Sequence, residues 1–340
     1  MKRSAAARAA LAVAVLVPVL ALCAVAGIST GAGALSLRDA LAGREPDATV
    51  LFRLRVPRVL LAAEVGAALS VAGVALQALL RNPLADPFVF GLSGGAAIGT
   101  ALVTVASGTA LGAAAGSAAS FIGVLPAQLA AVAGAMAAAL LVFALGRARG
   151  QLEPARALLV GVVFNSFASA LVLSVEAVLQ PDQMQAVSLW LAGALGYEAV
   201  TLLTGAAIAL VVPALVLLAL AGRLNLLALG DEGAAALGVD VGRTRLLAFF
   251  AASAAVGIAV AFTGLVGFVG LIVPHAVRLL TGPDHRVVLP ASALGGAAFL
   301  ILADALARVL FRGLGAEPPV GAVTAIVGAP LFVLLMRSRK

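Results

Sequence analysis

The sequence predicts an all-α integral membrane protein, a bundle of ten transmembrane helices with both termini in the cytoplasm. Of its 340 residues, 63% are hydrophobic and only 11% are charged, whereas about a quarter of the residues in soluble domains are charged. The apolar residues form long unbroken runs rich in Ala, Leu, Val and Gly, unlike the alternating strands of a transmembrane barrel. Since only helices and closed barrels satisfy the backbone inside a bilayer, these runs predict helices.

Ten apolar runs mark the predicted spans. The first follows a charged segment and has the order of a signal peptide, but its length favours a retained helix. Several other runs are shorter than the about 20 residues of a typical span, which predicts tilted, kinked or sheltered helices. The runs are Leu11–Ile28, Val59–Leu80, Val89–Val105, Ile122–Leu145, Ala157–Leu179, Leu202–Leu220, Leu246–Phe262, Leu265–Leu280, Leu289–Ala307 and Val320–Met336.

The distribution of Arg and Lys decides the number and direction of these spans. Only Thr263 and Gly264 divide the seventh and eighth runs, and merging them would place the basic C-terminal end outside. With ten spans, most of the 22 basic residues lie on the cytoplasmic side, as the positive-inside rule expects. The other arginines lie outside, where they either dock an acidic partner or snorkel to lipid headgroups. They are Arg38, Arg44, Arg53, Arg55, Arg58, Arg308 and Arg312.

The chain cannot form a phosphate-binding P-loop, which requires a lysine after glycine. Its only lysines are Lys2 and Lys340, at the two ends. Transport would therefore be driven either by an ion gradient or by a partner ATPase. A gradient-driven carrier uses ionisable residues inside the membrane, and the candidates here are Glu64, Glu176 and Asp304.

These three carboxylates differ in their sequence surroundings. Asp304 stands four residues before Arg308, a spacing that predicts an ion pair on one helix face. Glu176 is near the outer end of its run and is predicted to be interfacial. Glu64 lies one turn inside the second run, and is the remaining candidate for proton coupling.

Neither a catalytic site nor a metal site is predicted. The histidines His275 and His285 are ten residues apart without a nearby cysteine or carboxylate pair, which is a poor zinc-binding pattern. Cys23 is the single cysteine, so an intrachain disulfide is impossible. The basic residues are scattered between apolar runs, which argues against nucleic-acid binding.

The longest polar stretch is predicted to be cytoplasmic and covers residues 222–245. We expect two short helical pieces there, around Gly230–Gly238. Asp231 and Glu232 stand where a helix N-terminus favours negative charge. A small-residue surface outside the membrane either seats in a groove of another protein or is a plain connecting loop.

Several motifs in order along the chain resemble a known family. They are Arg55-Val56-Pro57-Arg58, Gly66-Ala67-Ala68-Leu69, Gly73, Gln77, Arg81–Pro87, Gly91, Leu229–Glu232, Ala235–Val239, Gly267–His275, Gly282–Arg286, Ala303-Asp304, Ala307-Arg308, Pro319–Gly321, Thr324 and Gly328–Pro330. From about Arg53 to the end, the chain resembles the permease subunits of ABC importers for iron-siderophores, haem and cobalamin, the FecCD type of type II importers.

The resemblance implies a single transmembrane permease domain over residues 1–340 in the bacterial inner membrane. A second permease copy would pair with it around a central pathway; the single, unfused unit favours a homodimer, with a heterodimer as the alternative. Two ATP-binding-cassette ATPases would dock on the cytoplasmic side and hold ATP and Mg²⁺, while a soluble substrate-loaded binding protein would dock outside. The chain itself would contact membrane lipid and bind no cofactor, metal or nucleic acid.

The resemblance also assigns residues to roles. The coupling loop to the ATPases would use Gly230, Asp231, Glu232, Gly233, Ala234, Leu237 and Gly238. The binding protein would dock through Arg55, Arg58 and Arg308. The remaining motif residues, which would be structural, are Asn82, Pro83, Pro87, Gly91, Pro274, His275 and Asp304. Glu64 and Pro318 depart from the family pattern, in which both positions are usually apolar and the second is more often Leu.

The expected cargo is a metal chelate. Iron-siderophore is the first choice, and haem and cobalamin are the alternatives, because no residue of the chain identifies the ligand. The rival prediction is a gradient-driven secondary transporter that acts without an ATPase and depends on Glu64.

Overall fold

The computed structural model describes residues 5–31, 35–106, 126–148, 151–310 and 319–337. Its α-helices are α1 (Ala5–Ser29), α2 (Leu37–Leu41), α3 (Asp47–Thr49), α4 (Val56–Leu80), α5 (Leu92–Ala106), α6 (Pro126–Leu145), α7 (Pro154–Glu176), α8 (Pro181–Leu191), α9 (Val200–Leu227), α10 (Asp231–Ala236), α11 (Val241–Thr263), α12 (Val269–Thr281), α13 (His285–Leu310) and α14 (Val320–Arg337). A π-helical stretch, Val50–Arg55, joins α3 to α4, and a 3-10 turn, Pro87–Phe90, precedes α5. Two short antiparallel strands, β1 (Arg147–Ala148) and β2 (Gln151–Leu152), lie between α6 and α7.

Each predicted apolar run coincides with one helix of the bundle, although residues 122–125 of the fourth run lie outside the described residues. Seven helices are long and apolar enough to cross a membrane, namely α1, the continuous helix 47–80, α6, α7, α9, α11 and α13. Three shorter apolar helices, α5, α12 and α14, accompany them. The helical membrane architecture is confirmed, whereas the count of ten crossings and the cytoplasmic termini stay predictions.

The narrow division between the seventh and eighth runs is a true break in the chain. α11 ends at Thr263, and Gly264 takes φ +66° and ψ −149°, a backbone conformation open mainly to glycine. Phe268, directly before α12, has φ +68°, which is uncommon for a bulky residue. Because the backbone leaves the helical region twice within a few residues, one continuous helix cannot form here.

The connection between the long helices within residues 222–245 is shorter than predicted and contains one short helix instead of two. α9 continues to Leu227 and α11 already begins at Val241, so only α10 stands between them as a separate helix. The reason is that α9 still packs inward beyond its apolar run, since Leu224 and Leu227 are buried. A hydropathy pattern marks the edge of the bilayer, whereas the helix ends where its packing ends.

Helix α4 forms the centre of the bundle. In the most apolar part of the helix that contains it, 78% of residues are buried, against 11% for α1 and 17% for α7. Helices α9, α11, α12 and α13 surround α4, and α1 packs against the outer side of α13. Glycine allows the closest approaches, since Gly66 lies against the carbonyl of Gly296 and Gly73 against the carbonyl of Gly270. Such backbone contacts are typical of helix packing in membranes.

We expect Gly73→Ala to destabilise the bundle by about 1–3 kcal/mol, the usual cost of overpacking. A Cβ at this position would overlap the Gly270 carbonyl, so α4 and α12 would have to move apart. Gly205→Ala in α9 is the matched control, because nothing lies within 4 Å of a Cβ there. Thermal unfolding of both variants in detergent measures the difference. Equal unfolding temperatures would contradict the tight α4–α12 contact.

Candidate functional site

Helix α10, predicted to be cytoplasmic, is fixed to the bundle through one carboxylate, that of Asp231. Nη2 of Arg245 lies 2.8 Å from Oδ1 of Asp231, and the guanidinium of Arg81 contacts the same oxygen. Arg81 is the C-cap of α4 and also donates from Nε to the Leu227 carbonyl at 3.0 Å. Nη1 of Arg245, near the start of α11, donates to the Leu152 carbonyl at 3.2 Å. Asp231 therefore connects α10 to both α4 and α11.

α10 and its flanking residues have a packed side and an exposed side. Ala234 is fully buried and Val239 is only 9% exposed, so these two residues fix the segment from within. Glu232 and Gly238 are exposed, and Leu237 has 59% of its surface accessible. Of the residues predicted for the coupling loop, Ala234 thus faces the bundle and Leu237 faces outward.

Two glycines shape the beginning and end of this segment. Gly230 precedes α10 with φ +103°, and Gly238 follows it with φ +81°. Both values lie where side chains are strained and glycine is not. Gly233 lies within α10. The result is a short helix between two sharp turns, which lies between the end of α9 and the start of α11.

A buried ion cluster lies at the opposite end of the bundle, which the charge distribution assigns to the outside. Nε and Nη2 of Arg58 lie 3.0 and 2.9 Å from Oδ1 of Asp304. Nη2 of Arg308 lies 2.8 Å from Oδ2 of Asp304, which confirms the predicted local pair. Nη1 of Arg58 also donates to the Tyr197 hydroxyl at 3.0 Å. Asp304 is 1% exposed, so one buried carboxylate holds two guanidinium groups.

The C-terminal end of α1 supplies further acceptors to Arg308 and to a third arginine, Arg55. Nη1 of Arg55 lies 2.8 Å from the Ile28 carbonyl, and Nη2 of Arg308 lies 3.0 Å from the Gly27 carbonyl. Arg308 also contacts the Thr30 carbonyl. The last carbonyls of a helix are unpaired and carry partial negative charge, so the arginines cap α1 and connect it to α4 and α13.

Three of the arginines that the sequence places on the outer side find their acceptors within the chain and need no partner protein for them. Arg55, Arg58 and Arg308, predicted to dock a binding protein, are only 6%, 4% and 7% exposed. The external arginines that reach solvent are Arg38, Arg44 and Arg53 among the described residues, whereas Arg312 and Pro318 lie outside them. Docking through the buried three stays a prediction, and it now requires that they become accessible.

The predicted proline-rich turn links α4 to α5 and carries its own hydrogen bonds. Oδ1 of Asn82 accepts from the Leu84 amide at 3.0 Å, and Oδ1 of Asp86 accepts from the Phe88 amide at 2.8 Å. Pro83 lies in the turn, Pro87 opens the 3-10 turn, and Gly91 closes it at φ +79°. Burial raises the pKa of the Asp86 carboxyl, although the Phe88 and Phe268 amides act against this.

Other family-motif residues lie deep in the bundle. Pro274 and His275 are inside α12, and His275 is 2% exposed. Gln77 is equally buried, and its Nε2 donates to the Gly270 carbonyl at 3.1 Å. The sequence predicted a structural or interfacial role for His275, and this role stays a prediction. No group of three His, Cys, Asp or Glu side chains suited to a metal ion occurs in the part of the chain that the structure describes.

Sequence reasoning missed a polar stripe along α7. Asn165, Ser169 and Glu176 line an open cavity of about 280 Å³. A second cavity of about 590 Å³ shares Asn165 and Ser169 and also contains Ser166 and Asp86. On α7, Ser169 follows Ser166 by three positions and Asn165 by four, and Glu176 follows Ser169 by seven. These spacings put the four side chains on one side of the helix. That periodicity was present in the sequence and would have indicated a polar groove in an otherwise apolar span.

The sequence of the chain can be compared with known families. The model of the FecCD transport family matches residues 19–338, which is nearly the whole chain. The chain belongs to the FecCD transport family. The family predicted from the motifs is thus confirmed, while the roles of individual residues need their own tests.

Curated relatives in the FecCD family are named for different cargoes. The chain is 43% identical over 287 residues to the cobalamin import system permease protein BtuC of Halobacterium salinarum, covering 84% of this chain and 73% of the relative. It is 38% identical to the hemin transport system permease protein HmuU of Yersinia pestis, covering 94% of both chains. A probable iron chelatin transport system permease protein of Helicobacter pylori is 36% identical, covering 85% of this chain and 83% of the relative.

Solved structures share the fold. A structure described as an inward-facing metal-chelate-type ABC transporter superposes with a TM-score of 0.80 at 30% identity, covering 97% of this chain and 99% of the other. PsaBC from Streptococcus pneumoniae in complex with Fab superposes with a TM-score of 0.52 at 15% identity, covering 88% and 95% of the chains. The second likeness supports only the architecture of this FecCD-family chain.

Proposed function

We propose that this chain is the permease subunit of an ABC importer that moves a metal chelate into the cytoplasm. The observation that carries the proposal is α10, an exposed small-residue helix fixed by Asp231 to α4 and α11, in a chain that aligns over 94% of its length with a hemin permease. A rigid attachment of this kind can pass a movement of a partner protein to two membrane helices at once.

Separate ATPase subunits are the proposed motor. The chain has no P-loop lysine, so ATP and Mg²⁺ would bind to the partner, and the permease would need no cofactor of its own. The exposed face around Leu237 and Glu232 offers an apolar side chain beside a charge, which suits insertion into a groove of the partner. In this proposal the permease is a single domain of ten helices in the inner membrane. Both chain termini and α10 lie on its cytoplasmic side.

A second copy of the permease is the proposed companion within the membrane. The open grooves along α7 contain Asn165 and Ser169 in both cavities, and α7 is only 17% buried in its apolar part. Polar side chains facing lipid are costly, so we infer that this face borders a pathway between two copies. Weakly polar walls suit a bulky chelate that must pass without being held.

Docking of the binding protein through Arg55, Arg58 and Arg308 is proposed as a second step, coupled to movement of α1. In the chain alone, Arg55 and Arg308 hold the carbonyls at the end of α1, and Arg58 holds the carboxylate of Asp304. Acidic side chains of a binding protein are stronger acceptors than carbonyls and could replace them. The C-terminal end of α1 would then be released as the binding protein docks.

The cargo is best tested directly. Iron-siderophore remains the first choice, and the names of relatives make haem and cobalamin the necessary comparisons. The chain, its own ATPase and its own binding protein would be reconstituted in proteoliposomes, and uptake of each radiolabelled chelate would be measured with and without ATP. We expect ATP-dependent uptake of one chelate. Uptake that does not depend on ATP would overturn the importer proposal.

The rival gradient-driven carrier is tested in the same vesicles. Glu64 lines an apolar cavity of about 260 Å³ between α4 and α9. It is the single acidic residue among those that line this cavity. If a proton gradient drove transport, Glu64→Gln would abolish uptake and a protonophore would do the same. The importer proposal predicts that neither change prevents ATP-dependent uptake.

A further inference from the structure

A basic cavity lies at the end of the bundle that contains α10. It has a volume of about 660 Å³ and is lined by Arg8, Arg81, Arg278, Asp284 and His285 together with Gln77, Ala78, Pro83, Asn225, Ala228 and Pro283. This is within the usual range of small-molecule sites, about 300–1,000 Å³. We call it the inner basic cavity. Arg81 is paired with Asp231 outside the cavity, so Arg8 and Arg278 against Asp284 give the cavity a net positive charge.

The single carboxylate of the cavity is already occupied. Oδ1 of Asp284 accepts from Nδ2 of Asn225 at 2.8 Å and from the Arg286 amide at 3.1 Å. Burial opposes its ionisation, but these hydrogen bonds and the charges of Arg8 and Arg286 lower the pKa of Asp284. The lowered pKa favours the ionised form of Asp284, which offsets one of the two arginines, Arg8 and Arg278, that Asp231 does not pair.

Arg8 is held weakly by the chain. Its nearest acceptors are Oδ2 of Asp284 at 3.3 Å and the Thr281 carbonyl at 3.4 Å. Hydrogen bonds from arginine to an anion are usually about 2.7–2.9 Å long. In addition, Nε of Arg8 has no acceptor among the described residues. The side chain thus has the capacity to bind a further anionic group.

One wall of the cavity comes from α1, a helix that packs little against the rest of the bundle. Arg8 belongs to α1, whose apolar part is only 11% buried, and Arg278 is in the last turn of α12. Leu280, two residues after Arg278, is 86% exposed, and Leu84, next to the lining residue Pro83, is 41% exposed. Exposed apolar side chains near the rim in sequence are compatible with contact to acyl chains.

We propose that the inner basic cavity binds the phosphate headgroup of an anionic phospholipid from the cytoplasmic leaflet, between Arg8 and Arg278 and beside Arg81. Basic pockets between membrane helices on the cytoplasmic side suit such headgroups, and the arginine fork matches phosphate oxygens. The apolar wall of Ala78, Pro83 and Pro283 would contact the glycerol part. The site goes beyond the proposed import function and does not depend on the cargo.

The test measures lipid retention by the full-length permease with native mass spectrometry. The probes are phosphatidylglycerol and phosphatidylcholine with identical acyl chains. We expect one phosphatidylglycerol per permease copy to bind more tightly than phosphatidylcholine. Arg8→Gln and Arg278→Gln should each weaken its binding about fivefold, the factor for a loss of about 1 kcal/mol per basic residue.

The matched control is Arg243→Gln, at the start of α11. Arg243 is 86% exposed, pairs with Asp240 and does not line the cavity, so its removal should not change lipid retention. Because Arg278 also contacts the buried Gln77, its variant could fail to fold. Arg8→Gln and the charge-retaining Arg8→Lys then decide, with Arg8→Lys expected to recover most of the binding.

Three results would overturn the proposal. Equal retention of phosphatidylglycerol by wild type and Arg8→Gln would remove the site. Binding of inorganic phosphate alone, with displacement of the lipid, would make it a site for a soluble anion. If Arg8→Gln instead released the co-purified ATPase without loss of lipid, the occupant would be an acidic side chain of that partner. None of these results depends on chelate uptake, so failure here leaves the proposed function intact.

Discussion

Leu237→Asp is expected to reduce ATP hydrolysis by the assembled importer at least about tenfold, because it places a charge at the centre of the exposed α10 surface. The few hot-spot residues of an interface cost about 2 kcal/mol or more when they are truncated, which is more than tenfold in affinity, and a buried unpaired charge adds to that cost. The folded permease should not be affected, since 59% of Leu237 is accessible and it lies outside the buried Ala234–Val239 contact.

Two measurements separate lost coupling from lost folding. The first is ATPase activity stimulated by the loaded binding protein, together with the amount of ATPase that co-purifies with the permease. The second is thermal unfolding of the permease alone, which should match wild type. Arg243→Gln, also exposed and close in sequence, is the control and should retain full activity. Normal coupling in Leu237→Asp would show that the ATPases engage another surface.

The helices of this bundle could be predicted from sequence because the bilayer imposes a length and a composition on each of them. Even the narrow break at Thr263–Gly264 is confirmed by the backbone of Gly264. The helix ends could not be predicted in the same way. α9 continues to Leu227 because Leu224 and Leu227 pack inward, a tertiary contact that a hydropathy run does not contain.

In the candidate sites, too, contacts between residues close in sequence could be predicted and contacts between distant residues could not. The Asp304–Arg308 pair was predictable, since the two residues are four positions apart on one helix. The contacts of Arg58 with Asp304 and of Arg81 with Asp231 join residues 246 and 150 positions apart, and nothing local indicates them. The sequence alone left the outer arginines between docking and snorkelling, and the resemblance assigned Arg55, Arg58 and Arg308 to a binding protein. In the structure the chain itself supplies acceptors to these three, and their docking stays a prediction.

The second large effect is expected at the outer ion cluster. Asp304→Asn should destabilise the permease by roughly 3–5 kcal/mol, the cost of leaving buried charges without their partner. Arg58 and Arg308, only 4% and 7% exposed, would both lose that carboxylate. Thermal or denaturant unfolding in detergent measures the loss. The control is Asp39→Asn, which breaks the exposed pair of Asp39 with Arg44 and should cost less than about 1 kcal/mol.

The same variant also tests docking, because the two roles of the arginines predict different signs. If Arg58 and Arg308 receive acids of the binding protein, removing Asp304 removes their internal competitor, so binding-protein affinity should rise while stability falls. Arg58→Gln should lower both quantities. If the cluster only holds α1, α4 and α13 together, Asp304→Asn lowers stability and affinity in parallel. That parallel loss would reject docking through these arginines and would direct the search to the exposed Arg38, Arg44 and Arg53.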